Sequence, residues 1–497
     1  MKTSNPASLA KRDGNPGAPP ILDALGELLE IRGLPRPHPK ELLFEGKDPF
    51  FRAPFYLGES TSAILGTIGT TVNDLWEMRV GRRQQVSVNL KHAAATLRTV
   101  DYTRRCNASG EFETIPIPSD MAYMLTVTQP WKTRDERWYL PHFNLPHLAN
   151  RVLNVLQCSY TPDSVRQAVS RWESAALDRA IADARACGAP IRTPEDWAAH
   201  PQGKYLSARP AIEITKIADG PPEPLSLGAS IPQRPLGGLR VLDLTRILAG
   251  PITGRTLAEH GADVLLVTGK RLAQTPEHVR DTSHGKRSTF LDIQHPDDFE
   301  KLRNLARSAD VFINGFRPGR LEAHGMGVAD LMAQRPGLIY VTISCYGSGG
   351  PLSGRAGWEQ VAQAATGICH TYGEVIGAGQ PKLVFAPVCD YTTGYLGALG
   401  ALIALRRRAH EGGSYHVHVS LCQSSMFIQR RGILDTFSDA PERLTEGELR
   451  EFHVQSEGAY GLLRTLGPAL KMSETPPQWA RSSPAPGSDR AEWLPRD

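Results

Sequence analysis

The sequence predicts an α/β protein built on an open parallel, Rossmann-like sheet, and three observations carry that expectation. Short apolar runs recur every 20–30 residues or so: RVLDL (240–244), DVLLV (263–267), STFLDI (288–293), DVFI (310–313) and LIYVTIS (338–344). Segments of helical character, 250–262, 297–307 and 327–334, lie between several of them. Strands buried on both faces read as near-continuous apolar runs, and their alternation with helices is the pattern of a parallel sheet. Finally, 497 residues exceed one ordinary compact core, so about two to four domains or sub-domains are expected.

Each element has its local reason. GPITGRTLAEHGA (250–262) reads as a helix with Pro251 in its first turn, where the missing proline N–H costs nothing. YHVHVSL (415–421) alternates polar with apolar residues and predicts a half-exposed strand. APVCDYTTGYLGALGALIALRRR (386–408) is a long helix of small residues, 391–408, with Asp390 at its start. An ionised carboxylate is costly to bury without partners. Asp390 therefore either caps that helix or is a reactive carboxylate, and the pattern alone leaves both readings open.

The first 105 residues look unrelated until the chain is displaced by 331 positions without gaps. ESTSAILGTIGTTVNDLWEMRVGRRQQVSVNL (59–90) then falls on DYTTGYLGALGALIALRRRAHEGGSYHVHVSL (390–421), with eight identities. Gly66, Gly69 and Gly81 meet Gly397, Gly400 and Gly412, while Val86 and Val88 meet Val417 and Val419. A partial structural repeat is expected, with Glu59 standing where Asp390 stands in the second copy.

Bulk properties narrow the function classes. With 40% hydrophobic and 22% charged residues the composition is that of an ordinary soluble protein. The 56 basic and 52 acidic side chains leave a net charge of +4, too little to make nucleic acid or a membrane surface the main partner. Seven scattered cysteines without a CxxC pair form neither a disulfide framework nor a zinc site. No metal site is expected. A reducing, cytoplasmic setting is the expectation, since residues 1–20 lack the apolar segment of a secretory signal. That stretch is polar and expected to be disordered. Pro- and Gly-rich segments at 218–237 and 473–497 read as a linker and an irregular tail.

Several familiar sites are absent from the sequence. No G-x-G-x-x-G follows the 240–244 run, HGKRS (284–288) lacks the first glycine of a P-loop, and there is no HExxH or G-x-S-x-G. Basic residues do gather at predicted turns: Lys270, Arg271, Lys286, Arg287, Arg317 and Arg320. Ligands of open α/β sheets bind at strand carboxyl ends, and a diphosphate-bearing ligand suits such a set.

GLRVLDLTRILAGPITGRTLAEHGADVLLV (238–267) resembles the opening signature of the class III CoA-transferases, the family of formyl-CoA transferase, carnitine CoA-transferases and 2-methylacyl-CoA racemase. GKRSTFLDI (285–293), ADVFINGFRPGRLEAHGMG (309–327), RPGLIYVTISCYGSGGP (335–351), QAATG (363–367) and CDYTTGYLGALGALIALRRR (389–408) follow in the family's order. GAPIRTPEDWAAHPQGKYL (188–206) resembles the family's smaller domain, and 59–97 its last large-domain segment.

The resemblance implies an order of parts: a disordered start (1–20), a partial repeat (21–105), a smaller α+β domain (106–217), a linker (218–237), the large α/β domain (238–430) and a C-terminal extension (431–497). It also implies an interlaced homodimer, with some of the lacing inside one chain. By its residue correspondence Asp390 is the nucleophile, and Arg246, Leu248, Lys270, Lys286 and Arg317 approach coenzyme A. Acyl-CoA and a carboxylic acid are the implied substrates, with no tightly bound cofactor. Trp358 stands where the racemase branch has a histidine base, which disfavours, without closing, a racemase or isomerase reading. His370 reads as a loop or helix-end histidine. Two questions stay open: whether Glu59 marks a second site, and whether the chain is a non-catalytic CoA-ester binder.

Overall fold

The computed structural model describes residues 19–225 and 233–496. The expected disordered start lies almost wholly outside the described residues, as does the middle of the 218–237 linker.

The N-terminal unit comprises α1 (Pro20–Arg32), β1 (Leu42–Glu45), α2 (Leu57–Val80), β2 (Val86–Asn89) and α3 (Leu90–Thr96). β1 and β2 pair in parallel, with α2 as their connection. A smaller α+β region follows, its helices packed around Val152, Val165, Leu177 and Ile181. Its last strand, β3 (Glu213–Ala218), leaves that region and joins the large sheet.

The large domain contributes β4 (Arg240–Leu244), α4 (Ala249–Glu259), β5 (Asp263–Thr268), β6 (Arg287–Phe290), β7 (Val311–Asn314) and β8 (Ile339–Ser344). Then come α5 (Glu359–Thr366), α6 (Val388–Glu411), β9 (Ser414–Ser420) and α7 (Leu421–Gln429). The seven strands run β6-β5-β4-β7-β8-β9-β3, parallel except for β3 on the edge. Chain direction across the sheet reverses between β4 and β7, and such a switch point opens a crevice at the strand carboxyl ends.

The repeat is present in three dimensions at the same offset. α2 and α6 each have 24 residues and begin 331 positions apart, and each ends at a glycine of positive φ, Gly81 at 73° and Gly412 at 64°. A Cβ on Gly69 would stand 2.5 Å from Val86 Cγ1, and one on Gly400 would stand 2.4 Å from Val417 Cγ1. Each helix thus lies directly on the strand that follows it, which is why glycines and strand valines recur together. The two helices pack on each other. β10 (Leu470–Met472) completes the N-terminal sheet antiparallel to β2, as β3 completes the large one beside β9.

One expectation needs correction. β9 is not half-exposed but almost wholly buried. Its polar positions bond to side chains of the neighbouring strand, His416 Nε2 to Thr342 Oγ1 at 2.8 Å and His418 Nε2 to Ser344 Oγ at 2.9 Å. Helix α6 is long and apolar enough to cross a bilayer, yet it forms the core of the domain, with 94% of its apolar window buried. The tail after Met472 is irregular but attached: Gly285 N–H donates to Arg481 O at 2.9 Å and Trp493 Nε1 to Leu305 O at 3.1 Å.

Candidate active site

Asp390 is the third residue of α6, half-buried, and its carboxylate faces a second helix start. The backbone N–H of Ala249, first residue of α4, lies near enough to hold its carboxyl down. Two helix N-termini, each carrying a partial positive charge, therefore converge on one side chain. Gly394 allows the approach, since a Cβ there would stand 2.6 Å from Ile252 and 2.7 Å from Ala249 O. The turn into α4 is strained: Ile247 has φ 75°, an outlier for a β-branched residue and of the kind that clusters at functional sites.

The helix cap is a different acid. Glu359, 5% exposed at the start of α5, accepts the N–H of Cys389 at 3.1 Å and of Asp390 at 2.7 Å. It also accepts Gln363 Nε2 at 2.7 Å. The cap bonds of α6 are thus made by Glu359 and not by Asp390. The same arrangement recurs in the N-terminal unit, where Asp48 accepts the N–H of Gly58 at 3.1 Å and of Glu59 at 2.8 Å. Glu359 lies 30 residues before the first amide it accepts and Asp48 only ten before its own, so no local motif could have revealed either.

Burial raises the Asp390 carboxyl well above the ordinary aspartate range, and the neighbouring Glu359 charge raises it further, against the opposing Ala249 N–H. Glu359 is also raised by burial, but its bonds to Gln363, Asp390 and Cys389 oppose the shift. Of two adjacent acids, the one with more donors keeps the negative charge more readily. The Cys345 and Cys389 thiols beside them are pushed up by burial and stay protonated.

The basic positions divide. Arg246 follows β4 and Arg317 follows β7, so they flank the switch point, both half-buried. Their loops touch: Gly315 N–H donates to Leu244 O at 3.5 Å, and a Cβ on Gly315 would stand 3.2 Å from Thr245 Cγ2. Arg246 Nη1 donates to Ala273 O at 3.1 Å, and Arg317 makes no ion pair among the described residues. His147, at the start of the smaller region's helix Pro146–Leu156, is pushed below its ordinary value by partial burial, then by Arg151, Arg317 and Arg246. Lys270 is exposed beyond β5, with its ammonium 5.9 Å from the Phe290 ring centre.

Two expected contact residues are elsewhere. Lys286 is 0% exposed and bonds Asp243 Oδ2 at 2.8 Å and Pro251 O at 2.6 Å. Its charge is paired inside the fold. Leu248 is 2% exposed in the main apolar core, capping position of α4 rather than a ligand wall. His370 lies within the helix Ile368–Val375 with Glu374 at 3.8 Å. Trp358 stacks on His142 (centroids 5.6 Å apart, planes at 7°), and burial pushes that imidazole down to about 4 while Gln360 holds its Nε2 at 3.0 Å.

Comparison with known proteins agrees with this geometry. Residues 236–462 match the family described as CoA-transferase family III. The chain is 31% identical over 454 residues to the acetyl-coenzyme A transferase nodX of Hypoxylon pulicicidum, covering 83% of this chain and 76% of that one. It is 28% identical over 510 residues to an acyl-CoA transferase of Gibberella moniliformis, covering 89% of each. It is also 35% identical over 207 residues to the beta subunit of a succinyl-CoA–L-malate CoA-transferase of Chloroflexus aurantiacus, covering 38% of this chain and 50% of that one.

Proposed function

The chain belongs to CoA-transferase family III and is a CoA-transferase, and from that premise we propose that it moves CoA from an acyl-CoA to a carboxylic acid with Asp390 as nucleophile. The observation that carries the proposal is the uncommitted carboxylate at the meeting of two helix N-termini, its capping duty taken by Glu359.

A carboxylate oxygen of Asp390 attacks the thioester carbonyl, the C–S bond breaks, and CoA leaves as thiolate, giving a mixed anhydride. The thiolate attacks the aspartyl carbonyl of that anhydride, releasing the donor acid and leaving an aspartyl-CoA thioester. The acceptor carboxylate attacks this thioester to form a second anhydride and free the thiolate again. Attack of the thiolate on the acceptor's acyl carbon yields the new acyl-CoA and restores Asp390. Each adduct keeps about the energy of a thioester, so exclusion of water preserves it. The Ala249 N–H and the amide ends of α4 and α6 supply positive potential for the oxyanions that form. Arg246 and Arg317, at the switch point, suit the diphosphate of CoA, with Lys270 on the adjoining loop.

The test compares wild type with Asp390→Asn across a panel of acyl-CoA thioesters, reading intact mass for a covalent CoA adduct and exchange of CoA among mixed carboxylic acids. Adduct and exchange in wild type, both absent from a folded Asp390→Asn, are the expected result. Equal activity of the two proteins would refute the nucleophile. Saturable CoA binding without exchange for any thioester would favour a binder of CoA esters.

A further inference from the structure

Asp281 is 2% exposed and ties together three separate parts of the chain. Arg255 of α4 donates Nη1 to its Oδ1 at 2.8 Å. The Tyr391 hydroxyl of α6 and the Thr99 hydroxyl of the N-terminal unit each lie 3.0 Å from its Oδ2. Those two hydroxyl oxygens are 2.6 Å from each other. The carboxylate is only an acceptor, so the two hydroxyls donate towards it, with Thr96 O at 3.3 Å a further acceptor for Thr99, and Arg255 balances its charge.

The two helices held in this way are the two whose first turns meet at Asp390, and Tyr391 is its chain neighbour. A helix N-terminus favours a carboxylate only near its first turn, so the effect of α4 on Asp390 depends on the relative placement of α4 and α6. We propose that Asp281, with Tyr391 and Thr99, forms a positioning cluster for the nucleophile that keeps the N-terminus of α4 against the Asp390 carboxylate. Thr99 gives the N-terminal unit a share in the catalytic site of the large domain. The inference rests on the reading of Asp390 as nucleophile.

Tyr391→Phe and Thr99→Val remove one hydroxyl each at nearly constant volume and leave the Arg255–Asp281 pair intact; Thr99→Ser restores the hydroxyl. The readouts are kcat, KM for acyl-CoA, the pH of the acid limb of kcat, and the CoA adduct by intact mass. Misplacement on the ångström scale costs up to about 100-fold. A kcat lower by about 10- to 100-fold is expected for Tyr391→Phe and Thr99→Val, with KM within about twofold. The acid limb moves to higher pH, because a displaced α4 N-terminus holds the Asp390 carboxyl down less. Thr99→Ser returns both values to wild type. Wild-type kcat and acid limb in Tyr391→Phe, at any melting temperature, would overturn the cluster's role. Absence of an Asp390 adduct in wild type removes the nucleophile and this inference together, whereas an adduct with unchanged kcat in the variants removes this inference alone.

Discussion

Glu359 Oε2 accepts the backbone N–H of Asp390 at 2.7 Å, so one acid secures the helix start while its neighbour is left for chemistry. The contact brings two carboxylates together, and the charge of Glu359 helps raise the Asp390 carboxyl above the ordinary aspartate range. A nucleophile must be ionised, so activity is expected to rise with pH through that raised value rather than near 4.

Glu359→Gln removes the negative neighbour and keeps one acceptor oxygen for the cap. With the like-charge repulsion gone, the Asp390 value falls, so the acid limb of kcat moves to lower pH. Half of the cap is lost, which costs roughly 1 kcal/mol of helix-start order and lowers kcat about tenfold. A pH–rate profile of wild type and variant checks this. A limb that stays in place would remove the coupling between the two acids.

The N-terminal unit repeats the geometry without the surroundings. Glu59 is 5% exposed, its Oε2 accepts the Ile21 N–H at 3.0 Å, and among the described residues its sheet has three strands with no counterpart to β4–β7. Burial pushes its capping acid, Asp48, up to about 7. One CoA adduct per chain is therefore expected, on the peptide that contains Asp390, with Glu59→Gln retaining transfer within about twofold. Peptide mapping of the trapped adduct decides the point, and label on Glu59 would show a second site.

Lys286 separates a structural charge from a ligand contact. Lys286→Met leaves Asp243 buried without its partner, and a loss of about 3–5 kcal/mol in stability is expected. Pairing it with Asp243→Leu removes both charges and recovers most of that loss. The double variant's KM for acyl-CoA stays within about twofold of wild type. Denaturant melts with steady-state kinetics check both parts, and a large rise in KM would return Lys286 to the binding site.

Periodicity and small-residue spacing made much of this legible. The apolar runs at 240–244, 263–267, 310–313 and 338–344 became strands within a residue or so of those bounds. The 331-residue repeat was visible because helix-on-strand packing demands glycine at 69 and 400 opposite valine at 86 and 417. Charge partners were not legible. The Glu359 cap, the Asp243–Lys286 pair and the Asp281 cluster join residues from 26 to 292 positions apart, and a lone acid or lysine in sequence carries no mark of its partner. β9 misled for the same reason, since its histidines looked solvated until Thr342 and Ser344 supplied their bonds.

Arg317 and Arg246 carry the remaining prediction. They lie on the two loops at the switch point, and Arg317 has no ion pair among the described residues to hold its charge. A charge-assisted bond to phosphate is worth roughly 1.5–3 kcal/mol, so Arg317→Ala should raise KM for acyl-CoA about 10- to 100-fold while kcat at saturation changes little. The part-exposed pairing is screened by salt, so wild-type KM should climb with ionic strength more steeply than that of the variant. Arg246→Ala should do the same to a smaller degree, because its guanidinium is already held by Ala273 O. Pantetheine thioesters, which lack the diphosphate, provide the control: wild type and both variants should handle them alike. A variant impaired equally with pantetheine and CoA thioesters would place these arginines at the reacting centre instead.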